Sequence, residues 1–367
     1  MDRGLIDGIV LAGTYRWSGA SFERLVPRPL VPVAQAPLIS YSLRWIRAGG
    51  LPRVFVCVNE ATRQLRDRLG DGSSLGVKID YSEDASPRGA AGCARDVALR
   101  SDADSFLICD GTVVPVVDHE RLLSFHRQSG AAMTVVVHRD EHADPTTAPL
   151  RPAGVYVAER RVFDFVAEAG FQDIKENLVP RLHREGLPVL THLAAGCCPR
   201  VVDARTYLTV SYWMVQRMIS EHGAPEGWAG VYSGTGEVLA HPSAWVDPGA
   251  KLLGPMILGP GVRVKAGATI VGPASIGAES TIAEGAVVCR SVTWERCVVG
   301  ENALLDACVL ADDARVEPGA DLFAIVVAAT APRQKPSRTP WASSEEVQAA
   351  LSPWTLRQPA SRPRGST

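Results

Sequence analysis

The first chemical candidate is a carboxylate at the end of a strand-like run. Ser105 to Asp110 reads SFLICD and is followed by Gly111 and Thr112. Alternation along a strand would put Asp110 and Thr112 on one face, about 6.6 Å apart. A second candidate is the glycine turn at Gly13, which ends the apolar run before it. A third, Asp118-His119-Glu120, has the residue types of an acid–base site, yet Asp118 is equally placed to cap the helix that follows. His126 lies on that helix with no chemical role expected. The eight cysteines are scattered, with one adjacent pair (Cys197 and Cys198) and no CxxC. That spacing suits buried thiols in a reducing cytosol, not a disulfide frame or a zinc site.

Elements that could position these groups alternate over residues 1–215. Ile9–Ala12, Val54–Val58, Val77–Tyr81, Ser105–Cys109, Met133–His138 and Val155–Val157 read as strands rich in branched residues. Ala61–Leu69, His119–Ser129 and Ile174–Arg184 read as helices. The alternation predicts an α/β domain with a Rossmann-like, mostly parallel sheet covered by helices. Ligands of such sheets bind at the carboxyl ends of strands, which directs attention to the turns after Leu11 and Cys109.

A different rhythm begins at Val246. Aliphatic or aromatic residues fall at Val246, Leu252, Leu258, Val264, Ile270, Ile276, Ile282, Val288 and Trp294, each six residues on. The phase then slips, and Val298, Leu304, Leu310 and Val316 resume the step. A helix repeats near 3.6 residues and cannot use this period, whereas short parallel strands joined by tight turns can. The pattern is similar to the hexapeptide repeats of left-handed parallel β-helix proteins over about 238–321, so about four coils are expected with the six-step residues inward. Many proteins of that type are acyltransferases with a histidine base. No histidine follows His241, so a scaffolding and oligomerising module is expected instead.

Two domains suit a chain of 367 residues with 46% apolar content. A formal charge of −2 gives no electrostatic argument for nucleic acid or an anionic membrane. The opening MDRGLIDGIVLAG lacks the longer apolar stretch of a secretion signal, and no later run reaches membrane-spanning length. A cytoplasmic protein with no nucleic-acid or membrane partner is therefore expected.

The segment LAGTYRWSGASFERLVPRPLVPVAQAP, from Leu11 to Pro37, carries a resemblance. Sugar-nucleotide pyrophosphorylases, including the mannose-1-phosphate guanylyltransferase and glucose-1-phosphate thymidylyltransferase groups, show LAGGxGTRL and then PKPLVPV at the same spacing. FLICDG, HRQSGAAMTVVV, AGVYV and DIKENLVPRL follow in that family's order. The chain resembles such a nucleotidyltransferase with a C-terminal hexapeptide-repeat domain. The expected divisions are a nucleotidyltransferase-like domain over 1–215, a helix or linker over 216–237, a β-helix over 238–322 and a Pro/Arg-rich tail over 323–367. Within the tail, Ser343 to Glu346 could cap one short helix.

The resemblance also marks departures. Gly13 remains from the phosphate loop, but Thr14 and Arg16 hold glycine positions and Ser18 holds the arginine position. Arg28 stands for the activating lysine: still cationic, but a planar fork in place of a point charge. The second phosphate-proximal stretch reads Pro87-Arg88-Gly89-Ala90-Ala91-Gly92. Both acidic positions that hold Mg²⁺ in the family are changed, to Thr112 and Arg200, and an arginine cannot ligate magnesium. Asp110 is left as a candidate relocated acid. The sugar-side hairpin is shortened, with Ala153, Gly154 and Lys175 as remnants.

The resemblance thus implies phosphate or nucleotide contacts at Gly13, Thr14, Arg16, Arg28, Arg88, Gly89, Thr112 and Arg200. Four of these are arginines, expected to converge on one concavity and to neutralise an anionic ligand without metal. No metal site and no cofactor are expected, with Mg²⁺ required if the chain is active. Three function classes follow: an impaired relative that binds a nucleotide or nucleotide sugar, or regulates an active pyrophosphorylase partner; an active guanylyltransferase-type enzyme with a rearranged metal site; and an assembly protein. A homo-oligomer is expected in each case.

Overall fold

A computed structural model describes residues 5–13, 25–84, 86–139, 149–221, 228–233, 236–329 and 338–340. Thr14, Arg16, Ser18 and the predicted helix cap at Ser343 lie outside the described residues. The chain forms two compact units, 1–202 and 203–367.

In the first unit the strands are β1 (Ile6–Leu11), β2 (Pro32–Val33), β3 (Ala36–Pro37), β4 (Arg53–Val58), β5 (Lys78–Glu83), β6 (Ser105–Asp110), β7 (Met133–His138), β8 (Arg151–Glu159) and β9 (Val189–Leu193). Seven of them make one sheet in the order β5-β4-β1-β6-β8-β7-β9. The first four run parallel, and β8 reverses direction between β6 and β7. The runs IVL, VFVCV and FLIC are apolar at every position because both faces of the sheet are covered. Ile9, Phe55, Phe106 and Ile108 pack towards α3 (Gly89–Ala98) and the segment around Phe163. Their strand neighbours Val10, Val54, Val56 and Leu107 pack on the other face, with α1 (Leu38–Ala48), α2 (Gln64–Leu69) and α4 (His119–Ser129). The predicted strands and helices are found within a few residues of their expected limits; α5 (Val179–Arg184) continues a wider turn over Ile174–Leu178.

The second unit begins with α6 (Ala204–Ser220), capped by Asp203, whose carboxylate accepts the Thr206 amide at 2.8 Å. A left-handed parallel β-helix follows, its strands stacked into three flat faces. The first face stacks Trp245, Arg263, Thr281, Val298 and Arg315 in one row. The second stacks Lys251–Leu253, Thr269–Val271, Val287–Cys289, Leu304–Asp306 and Asp321–Phe323. The third runs from the hairpin Ala229–Ser233/Gly236–Ala240 through Met256–Leu258 to Ile325–Val327 and Arg338–Pro340. Helix α6 packs on this third face: the Trp294 indole N–H donates to the Tyr207 hydroxyl at 2.9 Å, and the Tyr212 hydroxyl donates to the Arg290 carbonyl.

Two sequence expectations are corrected here. Helix α6 belongs with the coil, so the units divide at 202/203 and not at 215; the coil strands continue to Val327 and outnumber four turns. The phase slip has a structural origin. Lys251 stacks on Thr269 and Thr269 on Val287, steps of 18, whereas Val287 stacks on Leu304 and Leu304 on Asp321, steps of 17. One residue is dropped at the corner between the second and third faces in the later coils. Val299 and Leu305 therefore fill the interior, while Val298 and Leu304 face outward and Trp294 turns to α6. From Val246 to Val288, and again at Leu310 and Val316, the expected inward residues are the ones in or against the coil core.

Candidate functional site

The parallel strands β1, β4, β5 and β6 end together, and a cavity of about 210 Å³ lies over their carboxyl ends against the start of α3. Gly13 follows β1 there, with Asn59 after β4 and Asp84 after β5. A Cβ on Gly13 would stand 3.5 Å from the Asn59 side chain. Asp110, Asp173 and Phe171 close the other wall. Among the described residues, no lysine or arginine lines this space. Its volume is below the few hundred Å³ usual for a small-molecule site.

Three carboxylates face this space, and each already holds main-chain or side-chain donors. Both oxygens of Asp84 accept from the Arg88 amide at 3.1 Å, closing the loop that leads into α3. Asp173 accepts the Lys175 and Glu176 amides at 2.7 and 3.0 Å. Asp110 accepts the Thr112 amide at 2.9 Å and the Thr112 hydroxyl at 2.7 Å through Oδ1, and its Oδ2 takes an N–H of Arg200. Strand β6 ends at Asp110 and the chain turns at Gly111, so Thr112 folds back onto the carboxylate. The 6.6 Å expected from strand alternation is replaced by direct contact.

Arg200 is aimed at Asp110 by its backbone. Val114 donates to the Pro199 carbonyl at 2.9 Å and Val201 to the Thr112 carbonyl at 3.0 Å, so the segment 199–201 runs alongside 112–114. Gly154 completes the arrangement. Its φ is +76°, a conformation glycine adopts freely, and a Cβ there would collide with an Arg200 guanidinium nitrogen and lie 3.2 Å from Asp110 Cβ. Ala153, the neighbouring sugar-side candidate, points into the core instead. Lys175 is exposed on the turn after Asp173 and does not line the cavity.

Of the four arginines, the three that are described, Arg28, Arg88 and Arg200, do not line this cavity. Arg16 lies outside the described residues, and Arg28 sits half-buried in a 3-10 turn, Arg28–Leu30. Arg88 reaches away, donating to the carbonyls of Ala167 and Glu168 and pairing with Asp96 at 3.4 Å. Arg200 is held by Asp110. Gly89, with φ +72°, is needed because a Cβ would come within 2.6 Å of the Gln172 carbonyl oxygen, so its role is close packing of α3 on the 172 segment. The Asp118 triplet is a cap: Asp118 accepts the Arg121 amide at 2.9 Å, and His119 stacks on Trp45 with ring centres 4.3 Å apart. His126 is buried, with Nδ1 2.8 Å from the Thr134 hydroxyl. The thiols behave as core groups. Contact with Cys57, then burial, raises Cys93 well above the ordinary thiol range, and burial pushes Cys109 up to about 12. Asn59, Asp84 and Asp173 were not singled out from sequence, although Asn59 and Asp84 directly follow parallel strands, where the carboxyl-end rule would have found them.

A match to the family described as Nucleotidyl transferase covers residues 21–148. A mannose-1-phosphate guanylyltransferase of Mycobacterium tuberculosis is 27% identical over 292 residues, covering 70% of this chain and 76% of the relative. A UTP–glucose-1-phosphate uridylyltransferase of Synechocystis is 25% identical over 335 residues, covering 76% and 80%. A glucose-1-phosphate thymidylyltransferase of Streptomyces griseus is 34% identical over 110 residues, covering 28% and 31%. These matches make the chain similar to sugar-1-phosphate nucleotidyltransferases.

Magnesium is typical of those nucleotidyltransferases, and among the described residues the end of β6 does not present a set of free oxygens to hold it. A magnesium site needs several hard oxygens free to turn to the ion. Here Thr112 offers a hydroxyl already given to Asp110, and both Asp110 oxygens are taken. Among the described residues no group of three or more His, Cys, Asp or Glu could hold a metal. Also among them, no helix is long and apolar enough to cross a membrane.

Proposed function

We propose that this protein is a catalytically silent relative of the sugar-1-phosphate nucleotidyltransferases that binds a nucleotide or nucleotide sugar in its first unit and acts as a regulatory subunit. The observation that carries this reading is the Arg200 guanidinium on Asp110, where the family would hold a divalent cation. A guanidinium fixed by a carboxylate supplies positive charge but cannot exchange ligands with an incoming phosphate. Metal stabilisation of phosphoryl transfer is worth several kcal/mol, so its loss would cost on the order of three decades in rate. Ligand binding is supported by the position of the cavity at the carboxyl ends of the parallel strands, where the Asp84 and Asp173 carboxylates could accept hydroxyls of a ribose or hexose that reaches into it. The eight cysteines, all free thiols, favour a cytoplasmic setting.

Pyrophosphate release, assayed with Mg²⁺ over the four nucleoside triphosphates and common hexose 1-phosphates, should stay at background. Turnover of a few per second, ordinary for enzymes, would overturn the silent reading. Calorimetry with nucleotides and nucleotide sugars should give heat with and without Mg²⁺. No heat at millimolar concentration would reduce the protein to an assembly role.

A further inference from the structure

A second and larger cavity, of about 590 Å³, lies at the other end of the sheet, under the last turns of α4. That volume falls within the range of small-molecule sites. Ile6 and Ser105 open β1 and β6 there, and Glu159 closes β8. Ser105 stands opposite both Ile6 and Glu159, so one face of the three strands forms the floor. Its apolar part is Ile6 and Val157, with Leu123 of α4 packed near them. The polar groups around the floor differ in whether they already have partners. Arg160 gives its guanidinium to the carbonyls of Ala98, Ser101 and Ala103. Arg161 is held by Glu159 at 2.6 Å. Open donors remain on α4 and open acceptors on the chain beside the strands. Arg127 turns Nε to the Leu123 carbonyl at 3.1 Å, and its terminal nitrogens meet no acceptor among the described residues. Asp104 keeps one oxygen beyond the bond to the Leu5 amide at 3.0 Å, and Asp164 has no hydrogen bond or ion pair among the described residues.

His126 adds the group that decides the ligand. It is 5% exposed, and its Nδ1 lies 2.8 Å from the Thr134 hydroxyl on β7. Thr134 is fully buried and, among the described residues, has no other acceptor for its proton. The hydroxyl therefore donates to Nδ1. Burial lowers the imidazole pKa, so the ring is neutral near pH 7 and carries its proton on Nε2. That N–H has no partner among the described residues, and the ring lines the cavity. A buried donor left unmet is costly, and an acceptor on a ligand would remove the cost. We propose that this cavity binds a zwitterionic small molecule, an α-amino acid with a large apolar side chain. The carboxylate is held by the His126 Nε2–H and the Arg127 guanidinium, the ammonium by Asp104 and Asp164, and the side chain lies over Ile6, Leu123 and Val157. Three arginines and three acids line the cavity, so no net charge favours a ligand of one sign. A simple anion would face Asp104 and Asp164, and a simple cation would leave the donors of His126 and Arg127 unmet. The site is separate from the cavity at the carboxyl ends of the strands and does not depend on a nucleotide binding there.

The test is calorimetry on the full chain with four probes: phenylalanine, phenylpropanoate, which lacks the ammonium, phenylethylamine, which lacks the carboxylate, and glucose. Phenylalanine should bind with a dissociation constant of about 1 mM, and each of the others at least about tenfold more weakly. Arg127→Gln and Asp164→Asn should each weaken phenylalanine at least about tenfold. Both residues are exposed, so the two variants should melt with the parent. In nitrogen NMR the His126 Nε2 resonance should move on adding phenylalanine and stay in place on adding glucose. No heat from phenylalanine at about 20 mM, well above the expected constant, would overturn the proposal. So would another probe that binds as tightly as phenylalanine, or full binding in Arg127→Gln. Binding lost in Asp173→Asn but kept in Arg127→Gln and Asp164→Asn would put the ligand in the other cavity and overturn it too.

Discussion

Reversing the charge at Arg200 gives the sharpest test of the site. Opposite charges about 4 Å apart attract by about 4 kcal/mol at an effective dielectric of 20. Arg200 and Asp110 keep 31% and 27% of their side-chain exposure, so solvent screening reduces the attraction to about 2 kcal/mol. Arg200→Asp removes that attraction and sets a second carboxylate near Asp110. Partial turning of the new side chain into water would hold the total cost near about 3 kcal/mol. For a unit of this size each kcal/mol moves the melting temperature by about 2–4 °C, so a fall of about 6–12 °C is expected in chelator. The variant would also regain two carboxylates at the strand end. With about 10 mM Mg²⁺ and a dissociation constant of about 1 mM, binding returns RT ln 11, about 1.4 kcal/mol, or roughly 3–6 °C. The parent should show no magnesium shift. The assay is thermal melting of both proteins, with chelator and with Mg²⁺. A parent that is itself stabilised by magnesium, or a variant that melts with the parent in chelator, would refute the view that Arg200 takes the cation's place.

Gly154→Ala should cost about 2 kcal/mol, because the new Cβ meets both a positive φ and the Arg200 guanidinium. Denaturant titration should show that cost falling by about half in an Arg200→Ala background; equal costs in both backgrounds would assign the effect to φ alone. Ile276→Asp would bury an unpaired carboxylate in the coil core and should cost more than about 4 kcal/mol. Circular dichroism on heating should show early loss of strand signal, and a parent-like melt would mean that Ile276 does not point inward.

What the sequence disclosed depended on how rigidly each feature ties position to residue type. Alternation of branched strands and helices set out the first unit because strands covered on both faces must be apolar throughout, as VFVCV and FLIC are. The six-step pattern placed Val246 to Val288 correctly because a coil of 18 residues is three equal hexads. It failed at Trp294, Val298 and Leu304 because a 17-residue coil drops one residue at a single corner, and a fixed step cannot say which. The carboxylate site was legible as a set of positions and illegible as a geometry. That Thr112 folds back to Asp110 depends on where β6 ends, and Gly111 fits a strand or a turn. Arg88 and Arg200 carry side chains long enough to choose among several acceptors, so their segments fixed a neighbourhood and not a direction. Arg88 turned to Asp96 and two carbonyls.

The residues at the positions that the resemblance assigns to metal ligands form an internally complete arrangement. Two carboxylates with a divalent cation are neutral, and so are one carboxylate and one guanidinium. The exchange therefore leaves the charge at the end of β6 balanced without any bound ion. Random loss of metal ligands would leave Asp110 short of partners, and it is not: Thr112 gives Oδ1 two hydrogen bonds and Arg200 takes Oδ2. Gly154 then has to lack a Cβ for the guanidinium to lie flat against it. Asp110, Thr112, Gly154 and Arg200 thus depend on one another. A carboxylate already holding three donors competes poorly for a metal, and that supports the proposed reading of a first unit that binds its ligand without one.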